Sequence, residues 1–250
     1  MIHLKSEKEI EIMRQSGQKL RNVVDKLLHQ IVVGMTTEQI DKEAERLIKE
    51  EDAAPSFKTV AGYHWSTCLP INEQIVHTPP SKRELRSGDV LTLDIGVYYK
   101  GYHSDWATTV IVGKAEDKKV ISFLETGRRT LKKAIEQAKA GKYIGDISET
   151  IEKEIYGSGY FIIKELTGHG IGKALHEDPY VFGYLNRSRQ KTPLIKSGMT
   201  LAIEVIYSMG TEKMVYEKGG NWSIVTADKS LSACFEQTIA VTDRKTFILT

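Results

Sequence analysis

The sequence predicts an α+β domain made of two lobes that share one element order: helix, helix, strands. Three observations point to it: paired stretches of helical apolar periodicity, β-branched runs after each pair, and an isolated acid inside each main run. With 250 residues and 40% hydrophobic side chains, the chain can fill one large domain or two small ones. Nothing rich in Pro, Gly or Ser separates the halves, so a single domain over residues 1–250 is expected, with lobes of about 1–113 and 114–250.

Each element has a local cause. Ser6 and Glu9 form a capping-box pattern, and Ile10, Met13, Leu20, Val24, Leu27 and Ile31 then share one helical face, so a helix is expected from about 7 to 30. After Gly34, Thr36 and Gln39 repeat the box, and Ile40, Ala44 and Leu47 mark a second helix to about Glu51. From Asp89 the texture changes: Val90, Leu91, Leu93, Ile95 and Val97 read as a strand, Lys100-Gly101 as a turn, and Thr108 to Val112 as the end of a returning strand. The second half predicts a helix over about 116–140, stopped by Gly141, and another from about Asp146 to Ile155. Tyr160 to Ile163, Met199 to Tyr207 and Ser232 to Val241 follow as strands, punctuated by glycines within 168–172, by Pro193 and by Gly219-Gly220. The halves repeat an order of elements and not a sequence.

Composition removes several classes of function. Lys and Arg number 35 against 33 Asp and Glu, so a net charge of +2 supplies no bulk attraction to nucleic acid or to an anionic membrane. The opening residues turn charged before an apolar run can build, which argues against a signal peptide or membrane span and makes a cytoplasmic protein the expectation. Cys68 and Cys234 stand alone, without CxxC spacing, which excludes a disulfide framework and a zinc ribbon.

The acids carry the chemistry. Asp94 interrupts the apolar strand LTLDIGV, and Asp105 lies in the returning strand; a hairpin folded about residues 99 and 100 sets the two carboxylates directly opposite each other. Like charges in that position are destabilising, so a countercharge is expected between them. One strand acid usually faces water, but the anomaly recurs at Glu204 in MTLAIEVIYS and Glu236 in SACFEQTIAV. Four carboxylates match the charge of two divalent cations, as in a two-metal site. His169 in TGHGIGKALHEDP, between glycines that permit close backbone approach, is either a further ligand or an ordinary loop histidine. The same GHGIG run lacks the Lys-Ser/Thr ending of a phosphate loop, which disfavours nucleotide binding.

Taken together, these residues resemble the type I methionine aminopeptidases, of the pita-bread fold, over nearly the whole chain. The resemblance implies a curved, mainly antiparallel sheet in pseudo-two-fold α-α-β lobes. It implies Asp94, Asp105, His169, Glu204 and Glu236 as metal ligands, and His77 and His176 as histidines that line the active site. A water bridging two ions would then attack the scissile carbonyl, Glu204 would shuttle its proton, His176 would hydrogen-bond the tetrahedral intermediate, and His77 would contact the substrate amide. Oxygen-rich ligation with one imidazole suits Co, Mn, Fe or Zn and does not choose among them. Tyr63, Cys68 and Trp222 match an apolar wall around a methionine side chain, although core packing would explain the same residues.

The chain departs from the family pattern at Thr78, Trp106-Ala107, Leu175, Phe182-Gly183, Val205 and Gln237, positions that bear on the shape of the cleft. Expected partners are a nascent polypeptide with N-terminal Met and, more weakly, the ribosome, although no basic tail or zinc finger supplies docking; a monomer is implied. Two alternatives stand beside this reading. One is a pita-bread peptidase acting at Xaa-Pro bonds, which usually carries an additional amino-terminal domain. The other is a non-catalytic pita-bread protein that binds peptides.

Overall fold

The computed structural model describes residues 1–219 and 222–250, so Gly220 of the expected turn lies outside the described residues. Both capping boxes form, and they start the first two helices where the pattern places them: α1 is Glu7–Gln30 and α2 is Thr37–Glu50. In the second half, α3 (Lys118–Gln137) is shorter at both ends than expected, and Gly141 adopts its positive φ in the turn beyond. The fourth helix, α4 (Ile144–Gly157), begins slightly before Asp146, whose side chain accepts from the Tyr143 N–H.

Strands of the first half are β1 (Ala54–Pro55), β2 (Thr67–Cys68), β3 (Gln74–Val76), β4 (Val90–Tyr99) and β5 (Tyr102–Ile111). Those of the second half are β6 (Phe161–Ile162), β7 (Thr167–Gly170), β8 (Glu177–Phe182), β9 (Thr200–Ser208), β10 (Met214–Tyr216), β11 (Ile224–Thr226), β12 (Ser232–Val241) and β13 (Thr246–Ile248). Among the described residues, ten of them form one sheet with the path β1-β4-β5-β12-β9-β7-β8, and every pairing is antiparallel. The remaining three form a small sheet, β10-β11-β3.

Alternation along the long strands separates two faces. Leu91, Leu93, Ile95 and Val97 pack with Leu20, Val24, Leu27, Ile40 and Leu47 of α1 and α2. Leu201, Ile203, Val205, Tyr207, Ala233 and Phe235 do the same with Phe123, Leu131, Ile147 and Ile151 of α3 and α4. The even-numbered positions of these strands, including Asp94, Glu204 and Glu236, therefore face away from the helices. An acid that looks misplaced in an apolar run sits on the other side of the pleat.

The hairpin register differs from the expected one. Lys100 and Gly101 both take positive φ, 48° and 87°, and make a two-residue turn that pairs Tyr99 with Tyr102. Asp105 then lies opposite Gly96, and Asp94 opposite Ala107, so the two aspartates are diagonal neighbours and not direct partners. The shift is by two residues, which leaves both carboxylates on one face.

The two halves meet along a short seam. β5 and β12 share only the pairs Trp106–Gln237 and Ala107–Glu236. On either side threonine hydroxyls replace ladder bonds: Thr109 Oγ1 donates to the Cys234 carbonyl at 2.9 Å and accepts from its N–H, and Thr238 Oγ1 bridges the Asp105 N–H and carbonyl in the same way. The chain ends cross the seam, since Leu249 packs beside Met13 of α1 and Lys5 donates its backbone N–H to the Gly198 carbonyl.

The Tyr207 hydroxyl enters α3, donating to the Phe123 carbonyl and accepting from the Gly127 N–H, two groups that an uninterrupted helix would pair with each other. A Cβ at Gly127 would lie 2.4 Å from the Phe235 ring and 2.6 Å from the Tyr207 oxygen. Gly127→Ala should gain about 1 kcal/mol in helix propensity. Overpacking of about 1–3 kcal/mol and the disturbed hydrogen bonds should outweigh that gain. A net loss of unfolding free energy in chemical denaturation is the expected outcome, and a gain would show that α3 can lift off the sheet freely.

Candidate metal centre

Register assembles the site. Asp94 pairs with Ala107, Ala107 with Glu236 and Glu236 with Glu204, across four neighbouring strands. Residues opposite one another in a ladder share a face, so these four positions make one row. Asp105 is two residues from Ala107 on that face, and His169 pairs with Ala202, two residues from Glu204. All five residues singled out in the sequence as ligands thus converge, and Ala107 leaves the middle of the row open. One ligand atom each from Asp105, His169 and Glu236 lie within 4.8 Å of one another.

His169 is on strand β7 and not in the expected loop, and its glycines serve another purpose than the approach of an ion. A Cβ at Gly168 would meet the Ala202 carbonyl at 2.6 Å, and one at Gly170 the Asp178 carbonyl at 2.1 Å. Glycine is required there because neighbouring backbone passes so close. The imidazole Nδ1 lies 2.8 Å from the Gly170 carbonyl, which accepts from an Nδ1–H and leaves the Nε2 lone pair free toward Glu204, 3.9 Å away. Burial, reinforced by the charge of His176, lowers the His169 pKa to about 3, so this ring is neutral at physiological pH.

Burial pushes Asp94, Glu204 and Glu236 well above the ordinary range, and the charge of Asp105 raises all three further. Burial carries Asp105 up to about 7, against the pull of the Trp106 N–H that donates to its Oδ1 at 3.0 Å. Among the described residues no Lys or Arg forms an ion pair with any of the four. The Oε1 of Glu236 is buried without a hydrogen-bond partner. Acceptor-only oxygens, one of them orphaned, together with one neutral imidazole nitrogen, are the donor set of a divalent metal site, and the residues present fit such a group.

A cleft of about 690 Å³, open solvent included, covers the row, a size suited to a small-ligand site. Its lining includes the sequence candidates His77, Tyr63, Cys68, His176 and Trp222. Tyr63 meets the Trp222 ring edge-on at 5.2 Å and donates its hydroxyl to the Thr67 carbonyl at 2.8 Å. Cys68 pairs with Asp94 in the ladder, and burial, then the Asp94 charge, keeps its sulfur a thiol. His77 takes a left-handed φ of 56° and, like His176, is exposed at the rim.

Sequence reasoning missed Phe57, Val60, Val76 and Cys234 in the lining. Cys234 was legible in principle, two residues before Glu236 on the same face. Phe57 lies in a short 3-10 turn with no periodic signal. Also missed was Asp41, whose Oδ1 accepts from the N–H groups of Ser66 and Thr67 and from the Thr67 hydroxyl, fixing the segment that leads into Cys68. An acid beside Ile40 on a buried helix face was its signal. Of the departures from the family pattern, Trp106 and Val205 pack toward the helices, and Gln237, paired with Trp106, shares that side. Leu175 does line the cleft, and Thr78 is buried with its hydroxyl unpartnered.

An antiparallel sheet backed by four helices, with a row of buried acids on its open face that fits a divalent cation, is a metallopeptidase-like architecture. A family model described as metallopeptidase family M24 matches residues 11–243, and the chain belongs to that family. Methionine aminopeptidase 1 of Bacillus subtilis is 38% identical over 100% of this chain and 99% of its own length, and the methionine aminopeptidase of Clostridium acetobutylicum is also 38% identical at the same coverage. The crystal structure of methionine aminopeptidase from Thermotoga maritima superposes with a TM-score of 0.95 at 35% identity, covering 100% of this chain and 99% of that one. Prolidase from Pyrococcus furiosus, at 23% identity and a TM-score of 0.80 over 99% of this chain and 65% of that one, shares the fold. The pita-bread architecture expected from the sequence is the one observed. Among the described residues no helix is long and apolar enough to cross a membrane.

Carboxyls whose pKa values are raised keep their protons to higher pH than ordinary ones, and a cation must displace them. Adding Mn or Co to metal-free protein should therefore release protons, with affinity rising as pH increases from 6 to 8. Calorimetry in buffers of different ionisation enthalpy measures this directly, and binding that is pH-independent and releases no protons would contradict the electrostatics.

Proposed function

We propose that the chain removes N-terminal methionine from peptides, with Asp94, Asp105, His169, Glu204 and Glu236 holding two divalent ions. The buried row of carboxylates, with which no Lys or Arg forms an ion pair among the described residues, carries this assignment. Family membership and the names of the similar aminopeptidases support the reaction class. Two ions, of Co, Mn, Fe or Zn, neutralise four carboxylates and would supply Lewis acidity and a nucleophile available at neutral pH.

The chain's own groups do the rest. Glu204, at the edge of the row nearest His169, receives the proton of the attacking water and passes it toward the leaving amine. His176, in edge-to-face contact with His169 at 4.5 Å, donates to the oxygen on which negative charge develops. His77, also at the rim, contacts the amide nitrogen of the scissile bond. Tyr63, Cys68, Trp222 and Leu175 form the wall against which the methionine side chain packs, with soft and aromatic surface matched to a thioether. Residues 1–250 act as a single catalytic domain in two lobes, a cytoplasmic monomer whose natural substrate is a nascent polypeptide.

His176→Gln is expected to lower kcat for methionine release from Met-Ala-Ser by roughly 10²-fold with little change in KM. Glu204→Gln should cost at least roughly 10²-fold. The proposal fails if the metal-loaded protein cleaves Ala-Pro peptides and releases no methionine from Met-Ala-Ser.

A further inference from the structure

His176 has a backbone that regular structure does not hold. Residues 172–176 form a bend between β7 and β8, and the ring stands exposed at the cleft rim. Two backbone bonds tie down the start of the bend: the Gly172 carbonyl accepts from the His103 N–H at 2.8 Å, and the Gly172 N–H donates to the Ala174 carbonyl at 3.1 Å. The adjacent residue, Glu177, turns its side chain back over the bend, and its Oε1 accepts from the Ala174 N–H at 3.1 Å. Its other oxygen accepts from Lys5 Nζ at 2.5 Å.

Lys5 is an unusual residue in an unusual place. Its side chain is 5% exposed and that of Glu177 10%, which makes this a buried ion pair between the segment preceding α1 and the residue next to His176. The Lys5 ammonium also donates to the His3 carbonyl at 3.1 Å, and its backbone N–H to the Gly198 carbonyl at 2.7 Å. The slot is built for it. A Cβ on Gly172 would come within 2.4 Å of Lys5 Cε and 2.8 Å of both Lys5 Nζ and Glu177 Oε1, and a Cβ on Gly198 within 2.9 Å of the Lys5 carbonyl. Gly172 is thus the third glycine of the GHGIG run to receive a packing reason, and its reason is Lys5.

We propose that Lys5 is a positioning residue for His176. Its ammonium fixes Glu177, Glu177 pins the bend through Ala174, and the bend sets the His176 ring over the cleft. This deepens the reading in which His176 donates to the developing oxyanion, and it rests on that reading. Lys5 does not line the cleft, so any effect it has on the reaction is indirect.

A double-mutant comparison on the metal-loaded full chain tests it. Lys5→Met should lower kcat for Met-Ala-Ser at least tenfold with KM and metal content unchanged. In a His176→Gln background the same substitution should change kcat less than twofold. An equal loss in both backgrounds, or no loss in either, overturns the proposal. Lys5→Met leaves the Glu177 charge buried and unpaired; should that variant not fold, Lys5→Met/Glu177→Gln removes both charges and serves the same comparison with the same expectations. If the unsubstituted chain releases no methionine, the functional reading has failed, and positioning is then read by NMR. The imidazole resonances of His176 should shift in the Lys5 variant while those of the exposed His29 stay fixed, and an unmoved His176 overturns the inference.

Discussion

Four carboxylates packed side by side on the inner face of a sheet are the constraint around which the molecule is arranged. Each one taken from water costs several kcal/mol unless charge is returned to it, about as much as deleting a large core side chain. Among the described residues no lysine or arginine supplies that charge to Asp94, Asp105, Glu204 or Glu236, and the Glu236 Oε1 accepts nothing. The cost is borne by the apolar packing on the opposite face, where α1 to α4 bury the alternate positions of the same strands. Strand alternation makes both possible at once: one face supplies stability, and the other concentrates negative charge where a divalent cation is the natural complement.

The seam between the halves adapts the sheet to that task. The pairing of β5 with β12 does not run as a continuous ladder. Instead only two residue pairs match, and Thr109 and Thr238 carry the hydrogen bonds beyond them. Ala107, at the crossing point, contributes a methyl where its row neighbours contribute carboxylates. Across the seam the chain ends act as straps, Leu249 against α1 and Lys5 against Glu177, the residue next to His176.

Much of this was readable from local chemistry. The capping boxes at Ser6 and Thr36 set the starts of two helices to the residue, because a side-chain cap competes with little else. Asp94, Glu204 and Glu236 stood out because an acid in an apolar strand contradicts its surroundings, and a contradiction of that kind marks a site. The strands over Thr167–Gly170 and Glu177–Phe182 were not readable, since Gly, Asp and Pro are poor strand formers. They exist because neighbouring backbones close on glycines that tolerate them, which is a property of the assembled sheet. Lys5 reads as one more terminal charge until the fold delivers Glu177 from 172 residues away.

By itself the sequence determined the type of nearly every long element and the identity of the acids and histidine that form the site, because propensity, capping and period-two alternation are local. Tertiary structure decided the spacing. A two-residue turn with both φ angles positive moved Asp105 from opposite Asp94 to a diagonal position. The seam then brought Ala107 of one half opposite Glu236 of the other, and the strap through Lys5 reached the residue beside the rim histidine. These outcomes depend on which backbones approach one another and how closely, and no window along one chain contains that distance.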